Sequence, residues 1–439
     1  MGVSAREVAL NCLLAGEKQG AWSDGYLRNA IRKAELNGRD AALCTRLTFG
    51  VLQNRMLLDW HIGRLSSTPP EKLESAVLDC LRLGAYQMLF LDRVPVHAAV
   101  NESVALAKKY SRNPRSSALV NAVLRSLDRA REAGLPQPRE LSVRYSHPDW
   151  LVKDFSRTLP PEEVEALLAA NNAQPPTQAQ VNTLKTTQRA LLEELVEAGV
   201  GVKPHPWLPD CLELEGTGNL ETLPAFREGR FYIQDAAARL AVLASGAEPG
   251  MKVMDACAAP GGKSFAAAIQ MEDRGSILSC DLHPHKRRLI EDGAKRLGLE
   301  CVTAAVMDGR KFDPTLEAGF DLVITDVPCS GLGIIRKKPD IRYKDPAPLE
   351  GLPAVQRDIL ANASRYVRPG GTLLYATCTI LPRENEDVVE WFLDKDKSFT
   401  LEPFILPDPM GKVEEGMLTL WSHRHGTDGF FIAKLRRKG

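Results

Sequence analysis

Five short apolar runs in the second half of the chain each end in an acid or a cysteine. The segments that contain these runs are KVMDA, GSILSCD, CVTAAVMDG, FDLVITDVP and GGTLLYATC. The acid or cysteine that follows the apolar part of each segment is Asp255, Asp281, Asp308, Asp326 and Cys378, in that order. Helical segments separate the runs, and strands that alternate with helices indicate a parallel sheet with helices on both faces. Ligands bind at the carboxyl ends of such strands, so these five side chains are candidates for a single site.

This pattern begins at about residue 228 and predicts an α/β domain over residues 228–439. The last segment, GMLTLWSHRHGTDGFFIAKLRR, contains two further apolar runs across a glycine-rich turn. Such a pair is typical of an antiparallel hairpin. We therefore predict a mostly parallel sheet that an antiparallel C-terminal hairpin closes.

The first part of the chain has a different pattern. Residues 1–140 repeat apolar positions at three- and four-residue spacing, as in LTFGVLQNRMLLDWHIGRL (47–65), which predicts an all-α bundle. The proline-rich stretch 133–150 then interrupts the periodicity, and residues 141–227 predict a linker followed by a small α+β region. A chain of 439 residues is long enough for these three parts.

Composition restricts the class of protein. A hydrophobic content of 44% and a charged content of 26% are typical of a globular protein, and no apolar run is long enough to span a bilayer. The first twenty residues lack the apolar core of a signal peptide, so we expect a cytoplasmic protein. The nine cysteines show no zinc-ligand spacing, so we expect free thiols and no metal.

The net charge is zero, so a nucleic-acid partner cannot be inferred from overall charge. Two local basic runs could nevertheless contact phosphate groups without reading sequence. The first run comprises Lys108, Lys109, Arg112 and Arg115, and the second comprises Arg336, Lys337, Lys338, Arg342 and Lys344. The alternative for any such run is a solvated surface.

The segment VMDACAAPGGKS (253–264) passes from a strand through small residues into a helix, so backbone amides can approach a ligand closely. A triphosphate-binding P-loop would need glycine where Cys257 stands, which disfavours a nucleotide triphosphatase. Asp281, about twenty residues past the glycines, is placed to bind ribose hydroxyls, and Asp308 to lie toward an adenine. Each acid alone could equally be a helix cap. A nucleoside without a triphosphate pocket indicates S-adenosylmethionine.

Cys329 and Cys378 end neighbouring predicted strands in turns rich in proline, glycine and threonine, whereas Cys280 and Cys301 are expected to be core residues. A thiolate that adds to carbon 6 of cytosine makes carbon 5 nucleophilic, and loss of the carbon 5 proton later expels the thiolate. Lys263 is a candidate for the positive environment that a thiolate needs. Asp326 is placed to protonate or hydrogen-bond the cytosine ring near N3, which would assist the addition of the thiolate. On these grounds either cysteine could attack.

The whole set of motifs resembles the RsmB/Nop (Sun) family of RNA cytosine-C5 methyltransferases. The matching segments, in order, are FYIQDAAA, DACAAPGGKS, CDLHPHK, MDGRKF, DVPCSGLG, YATCT and HRHGTDGFF. Segments of the first part, including AREVALNCLLAG and PVHAAVNESVALAKKY, are similar to NusB, an RNA-binding helical domain. The two domains together are the arrangement of a bacterial 16S rRNA methyltransferase of this family.

The resemblance implies a Rossmann-like class I methyltransferase fold and a role for each candidate residue. Cys378 would be the nucleophile and Cys329 would assist product release, with Asp326 and Lys263 beside them. S-adenosylmethionine would contact Cys257, Ala258, Ala259, Pro260, Gly261, Gly262, Lys263, Asp281, Asp308 and Asp326. The expected product is 5-methylcytosine in 16S rRNA, formed by a monomer that contacts rRNA and no membrane.

Two other classes of function fit the sequence less well. An RNA-binding assembly protein with an inactive methyltransferase fold would have lost a cysteine or a cofactor-binding acid, and none is lost here. A small-molecule methyltransferase would need neither the RNA-binding type of helical domain nor the paired cysteines.

Overall fold

The computed structural model describes residues 3–19 and 24–439, which form two compact units. Unit 1 comprises Met1–Asn172 and Lys337–Lys344, and unit 2 comprises Ala173–Arg336 and Asp345–Gly439. Compact packing therefore continues past residue 140. Ser146 and His147, from the stretch we expected to be a linker, are fully buried. The division of the chain into three parts at residues 140 and 227 stays a prediction.

Unit 1 contains helices alone as regular structure among its described residues, in agreement with the predicted bundle. The α-helices are Ala5–Gln19 (α1), Asp24–Lys33 (α2), Gly38–Gln53 (α3), Arg55–Leu65 (α4), Ser75–Phe90 (α5), Val96–Tyr110 (α6), Ser116–Glu132 (α7), Leu141–Arg144 (α8), Asp149–Ser156 (α9) and Pro161–Asn171 (α10). Helix α5 is buried on all sides from Ala76 to Met88, which explains its nearly continuous apolar sequence.

The periodic segment 47–65 is two helices and not one. Asn54 ends α3 and precedes α4, with φ −116° and ψ 15°. Its side-chain amide and its backbone N–H both donate to the carbonyl of Gly50. Asparagine competes for backbone acceptors in this way, so the helix stops although the apolar spacing continues.

Unit 2 begins with a small antiparallel sheet. Its strands and helices are Thr177–Val181 (β1), Gln188–Glu197 (α11), Gly201–Pro204 (β2), Cys211–Glu215 (β3), Pro224–Arg227 (α12) and Phe231–Ile233 (β4). The strand order is β2-β3-β1-β4. This is the α+β region that the sequence predicts after the first bundle.

The rest of unit 2 is built on an eight-stranded sheet. Its strands are Lys252–Asp255 (β5), Ser276–Asp281 (β6), Val302–Val306 (β7), Phe320–Asp326 (β8), Val367–Thr377 (β9), Phe399–Leu401 (β10), Met417–Leu420 (β13) and Phe430–Arg437 (β14). The strand order is β10-β14-β9-β8-β5-β6-β7, and β13 also pairs with β14. Strands β5 to β9 pair in parallel, and β14 pairs antiparallel with β9 and β13. The predicted parallel sheet and terminal hairpin are both confirmed.

Helices cover both faces of this sheet. Adjacent strand residues such as Val253 and Met254 point to opposite faces and belong to separate apolar cores. The helices are Ala236–Ser245 (α13), Gly262–Gln270 (α14), Pro284–Leu297 (α15), Leu352–Ser364 (α16), Glu386–Lys395 (α17) and Ser422–His425 (α18), and a two-stranded ribbon joins Phe404–Ile405 (β11) to Lys412–Val413 (β12). Short 3-10 helices span Pro70–Lys72, Leu220–Thr222, Pro314–Leu316, Pro339–Tyr343, Ala347–Gly351 and Pro382–Glu384. No helix of residues 3–19 or 24–439 is long and apolar enough to cross a bilayer.

Candidate active site at the carboxyl ends of the strands

Four of the five polar residues predicted at strand ends lie where the pattern placed them. Asp255, Asp281 and Asp326 are the last residues of β5, β6 and β8, and Cys378 directly follows β9. Asp308 stands two positions beyond the end of β7. Because β5 to β9 run in parallel, these residues share one edge of the sheet.

The two candidate thiols are adjacent. The Sγ atoms of Cys329 and Cys378 lie 3.3 Å apart. The hydrogen bond with Cys378, together with burial, holds the pKa of the Cys329 thiol well above its ordinary value. Cys329 therefore keeps its proton and can donate it toward the sulfur of Cys378.

Exposure separates the three cysteines of the site from the other six. Cys257, Cys329 and Cys378 are partly exposed, whereas the remaining thiols, including Cys280 and Cys301, are buried. Burial raises the pKa of Cys280 to about 12, as expected for an inert core thiol. The interpretation of Cys280 and Cys301 as core residues is confirmed.

The loops that carry the two thiols are held together by polar side chains. The hydroxyl of Ser330 donates to that of Thr379 at 2.9 Å. The buried carboxylate of Glu384 accepts from the backbone N–H of Ser330 and from the amide of Gln356, each at 2.9 Å. Asn385 accepts from the Thr377 hydroxyl at 2.6 Å. This network fixes both thiols relative to one another.

Sequence reasoning missed Gln356, Glu384 and Asn385. Glu384 and Asn385 stand in LPRENED, an acidic stretch that looks like the start of an exposed helix. Both residues are completely buried. No spacing or motif in the segment distinguishes a buried carboxylate from a solvated one, so only the tertiary structure shows that these residues are buried.

Lys263 and Asp326 form an ion pair, with 2.5 Å between Nζ and the carboxylate. Lys263 is nearly buried, and its ammonium also lies 4.9 Å from the centre of the Phe430 ring. The side chain of Asp326 is 32% exposed, so one face of the carboxylate is open to a ligand. The structure thus brings together two residues that the sequence could only place in the same region.

The small-residue segment forms a tight turn between β5 and α14. Ala258 donates its N–H to the carbonyl of Cys280 at 2.7 Å, and Gly261 donates to Ala258 at 2.7 Å. Gly261 has φ +108°, and a Cβ there would lie 2.4 Å from the Phe265 ring. Only glycine fits this position, and the turn leaves the first amides of α14 without helical partners.

A carboxyl group lies beneath this turn. The fully buried Asp255 accepts from the Ser264 hydroxyl at 2.8 Å, and Ser264 in turn accepts from Ser279. Burial raises the pKa of Asp255 to about 7, and the nearby charge of Asp326 adds to the effect while Lys263 opposes it.

The two acids expected to hold a nucleoside bind to neighbours on their own loops. Asp281 accepts from the N–H of His283 at 3.0 Å and lies 3.6 Å from the ammonium of Lys286. Asp308 receives two side-chain hydrogen bonds from Arg310, both at 3.0 Å, and this ion pair lowers the pKa of Asp308. The sequence motif MDGRKF does not by itself predict the pairing of Asp308 with Arg310.

The site fits the methyl donor S-adenosylmethionine on these observations. The glycine turn leaves room for close backbone approach, and the carboxylate of Asp281 ends the next strand. Leu282 and Val306, which adjoin the two strand ends, are 49% and 47% exposed and offer apolar surface for a nucleobase. Across the described ranges, no cluster of histidine, cysteine and carboxylate side chains could hold a metal ion.

Two arginines of the second basic run do not belong to the phosphate-binding surface that the run predicts. Arg336 and Arg342 are 8% and 0% exposed. Arg336 pairs with Asp428, and Arg342 donates to backbone carbonyls within unit 1. Lys338 and Lys344 of the run are exposed. The prediction is wrong for the two arginines because a charge run carries no information about burial.

Comparison with known proteins identifies relatives over the whole chain. Three family models match in succession: the NusB family at residues 3–129, a ferredoxin-like domain of RsmF/B-like methyltransferases at 147–221, and the 16S rRNA methyltransferase RsmB/F family at 242–436.

Individual relatives extend over nearly the full length. A Bacillus subtilis protein named as a probable ribosomal RNA small subunit methyltransferase B is 36% identical over 451 aligned positions, which cover 99% of each chain. The ribosomal RNA small subunit methyltransferase B of Salmonella paratyphi A is 35% identical and covers 91% of each chain. The crystal structure of PH0851 superposes with a TM-score of 0.82 at 28% identity, over 99% of this chain and 98% of that one.

Proposed function

This chain belongs to the RsmB/F family of 16S rRNA methyltransferases, and on that basis we propose that it methylates carbon 5 of a specific cytosine in the rRNA of the small ribosomal subunit. It is an S-adenosylmethionine-dependent enzyme. The observation that carries the proposed chemistry is the 3.3 Å distance between the sulfur atoms of Cys329 and Cys378 beside the Lys263–Asp326 pair.

Residues of the glycine turn and the strand ends would hold the cofactor. They are Cys257, Ala258, Ala259, Pro260, Gly261, Gly262, Lys263, Asp281, Asp308 and Asp326. Bound S-adenosylmethionine supplies an electrophilic methyl group. Asp281 would accept hydrogen bonds from the ribose hydroxyls, and the free amides at the start of α14 would be available to donate to the cofactor.

Cys378 is the nucleophile in this proposal. Its thiolate adds to carbon 6 of cytosine, which forms a carbon–sulfur bond and makes carbon 5 nucleophilic. Asp326 stabilises the adduct by hydrogen bonding near N3, and Lys263 holds Asp326 in place. After carbon 5 is methylated, its proton passes to a solvent water molecule, the carbon–sulfur bond breaks and the electron pair returns to the sulfur of Cys378. Cys329 then supplies a proton to the departing sulfur of Cys378.

The helical part, residues 1–140, positions the RNA through its exposed basic residues, and residues 141–227 connect it to the catalytic part, residues 228–439. Phosphate contacts of this kind set position and orientation but not sequence. The target base leaves any stack it occupies, because the thiolate must reach carbon 6 from the ring face. We further propose that the enzyme acts as a monomer in the cytoplasm, where the rRNA is made.

Incubation with S-adenosylmethionine labelled in its methyl group and unmodified 16S rRNA tests the function. Label is expected at one cytosine, on carbon 5. Bisulfite sequencing of rRNA from cells that lack the protein should show the same position unmodified. Label on an exocyclic amino group, or on protein alone, would contradict the proposal.

A further inference from the structure

Two consecutive residues, Glu384 and Asn385, each contact the loop of one thiol. They stand where the short helix Pro382–Glu384 meets α17, and both are completely buried. The carbonyl of Glu384 accepts from the hydroxyl of Tyr375 in β9 at 2.6 Å. The two residues are therefore fixed to the strand that leads to Cys378.

Glu384 and Gln356 hold the peptide groups on both sides of Cys329. The side-chain amide of Gln356 donates to the carboxylate of Glu384 at 2.9 Å and to the carbonyl of Pro328 at 3.1 Å. The same carboxylate oxygen accepts from the N–H of Ser330 at 2.9 Å. Pro328 and Ser330 flank Cys329 in the sequence, so an acid binds directly to the loop of this thiol.

Asn385 holds the corresponding positions around Cys378. Its side-chain oxygen accepts from the hydroxyl of Thr377 at 2.6 Å, and its side-chain nitrogen donates to the carbonyl of Thr379 at 3.1 Å. Thr377 and Thr379 flank Cys378 in the sequence. The group that binds around Cys378 is thus an uncharged amide, whereas the group that binds the Cys329 loop is an acid.

The carboxyl group of Glu384 has the contacts of an ionised acid. Both groups that bind its Oε2 atom are N–H donors, and an ionised carboxylate only accepts. Within the ranges that the structure describes, its Oε1 atom has no hydrogen-bond partner. The negative charge is therefore incompletely satisfied and acts on neighbouring groups through a poorly polarisable interior.

Several groups act on the Cys329 thiol. Its hydrogen bond with Cys378, its burial and the negative charges of Glu384 and Asp326 all raise the pKa of Cys329. Asp326 shares its charge with the ammonium of Lys263, at 2.5 Å. The donors to Glu384 carry no charge, so its effect on the thiol is not compensated in this way.

Tyr375 also lies beside the thiol but contributes no charge. Burial, with the charges of Cys329 and Glu384, holds the pKa of Tyr375 well above its ordinary value, so the phenol stays neutral. Arg357 and Glu386 act on Tyr375 in opposite directions.

We propose that Glu384 and Asn385 are positioning residues that assign the roles of the two thiols: they hold both loops, and the charge of Glu384 keeps the shared proton on Cys329 and leaves Cys378 as the nucleophile. This inference rests on the proposed function, in which Cys378 attacks. The two thiols end neighbouring strands in similar turns, and the acid beside one and the amide beside the other make them different.

The first test removes the charge of Glu384 and keeps its shape. Glu384→Gln is alkylated with iodoacetamide at pH 8 without RNA or cofactor, and mass spectrometry gives the rate at each thiol. Trypsin separates Cys329 from Cys378, because Arg336 and Arg365 stand between them. In the wild type, Cys378 is expected to react faster.

The rate at Cys329 is expected to rise about threefold in Glu384→Gln. Loss of a nearby like charge lowers a pKa by about one unit, and the thiolate fraction rises by more than its nucleophilicity falls. In the rRNA assay, kcat should fall at least about threefold, because fewer singly ionised pairs then carry their charge on Cys378. The Kd for S-adenosylmethionine should not change.

Glu386→Gln is the matched control. This partly exposed acid stands two residues from Glu384 and accepts from the hydroxyl of Thr419 at 2.9 Å. Its substitution also exchanges a carboxyl group for an amide in the same segment. Both alkylation rates and kcat are expected to stay at their wild-type values.

A second variant adds a charge on the other side and covers the case in which Glu384→Gln does not fold. Asn385→Asp keeps the acceptor for the Thr377 hydroxyl and places an acid around Cys378. The alkylation rate at Cys378 is expected to fall about threefold. A loosened loop would expose both thiols and raise both rates, so a fall at Cys378 cannot come from loss of structure.

The alkylation assay separates this inference from the proposed function. If the thiols respond as expected but the wild type methylates no rRNA, the proposed function fails and the assignment of the proton stands. A faster reaction of Cys329 than of Cys378 in the wild type, an unchanged Cys329 rate in Glu384→Gln, or a Cys378 rate that does not fall in Asn385→Asp would each overturn the proposal.

Discussion

The sulfur atoms of Cys329 and Cys378 lie 3.3 Å apart although the residues are 49 positions apart in sequence. Two parallel strands, β8 and β9, bring their loops to the same edge, and the Ser330–Thr379 hydrogen bond holds them there. The hydrogen bond with Cys378, together with burial, raises the pKa of the Cys329 thiol, so Cys329 keeps its proton. The geometry therefore allows one thiol to act as the nucleophile and the other to act as the proton donor.

Substitution of each thiol separates the two roles. Cys378→Ala is expected to abolish methyl transfer and to leave cofactor binding nearly intact, because carbon 6 can no longer be attacked. Cys329→Ala is expected to accumulate a covalent protein–RNA adduct, which denaturing electrophoresis with labelled RNA detects. An adduct in Cys378→Ala and none in Cys329→Ala would mean that the roles are exchanged.

Asp326 and Asp308 are expected to affect different kinetic constants. Asp326→Asn should lower kcat by about 10²- to 10⁴-fold, because a group that assists addition to the ring is lost. Asp308→Asn should chiefly raise the KM for S-adenosylmethionine, since this carboxylate lies beyond β7 and pairs with Arg310 rather than with Lys263. Steady-state kinetics with both substrates varied provides the measurement. A change confined to the cofactor KM in Asp326→Asn would contradict the assignment.

Asp255 makes stability depend on pH. Its pKa in the folded protein is about 7, above the ordinary 3.8, so the folded state binds this proton more tightly than the unfolded chain. Stability therefore falls as pH rises between about 4 and 7. Asp255→Asn keeps an acceptor for Ser264 and carries no charge. Its melting temperature relative to the wild type should increase from pH 5 to pH 8, and a difference independent of pH would refute this.

Gly333 donates its backbone N–H to the carbonyl of Cys378 at 3.0 Å, so a substitution of Gly333 tests this contact with the proposed nucleophile. A Cβ at this position would lie 1.9 Å from the carbonyl oxygen of Gly429 and 2.9 Å from that of Cys378, so Gly333→Ala must displace the backbone at Gly429 and crowd that of Cys378. We expect loss of at least 90% of methyl transfer. Gly351→Ala is the matched control, because a Cβ there meets no atom within 4 Å. Equal activity of the two variants would show that the loop tolerates the displacement.

A higher salt concentration should lower the affinity for RNA but should leave the affinity for S-adenosylmethionine unchanged. Each phosphate that a basic side chain neutralises contributes about −0.7 to −0.9 to the slope of log affinity against log salt concentration. Lys108→Ala/Arg115→Ala should reduce that slope by about 1 to 2. Filter binding at several salt concentrations measures it, and calorimetry gives the cofactor affinity. A slope equal to that of the wild type would exclude these residues from the RNA surface.

Much of the catalytic unit follows from local pattern. The apolar runs, the glycine turn after β5 and the position of each acid at a strand end are properties of neighbouring residues, and the parallel sheet brings those ends together. Asp281, Asp326, Cys329 and Cys378 could be found in this way. The resemblance to a known family was still needed to decide which cysteine attacks.

Other features depend on residues far apart in the chain. The sequence by itself determined the order of helices and strands and which side chains reach the carboxyl edge of the sheet, because periodicity and turn residues act locally. Only the tertiary structure decided that Glu384 and Arg342 are buried anchors, whereas Lys338 and Lys344 remain exposed. A charged side chain can be buried only where distant partners supply hydrogen bonds, and those partners, such as Gln53 and Asn172 for Arg342, are brought together by folding alone.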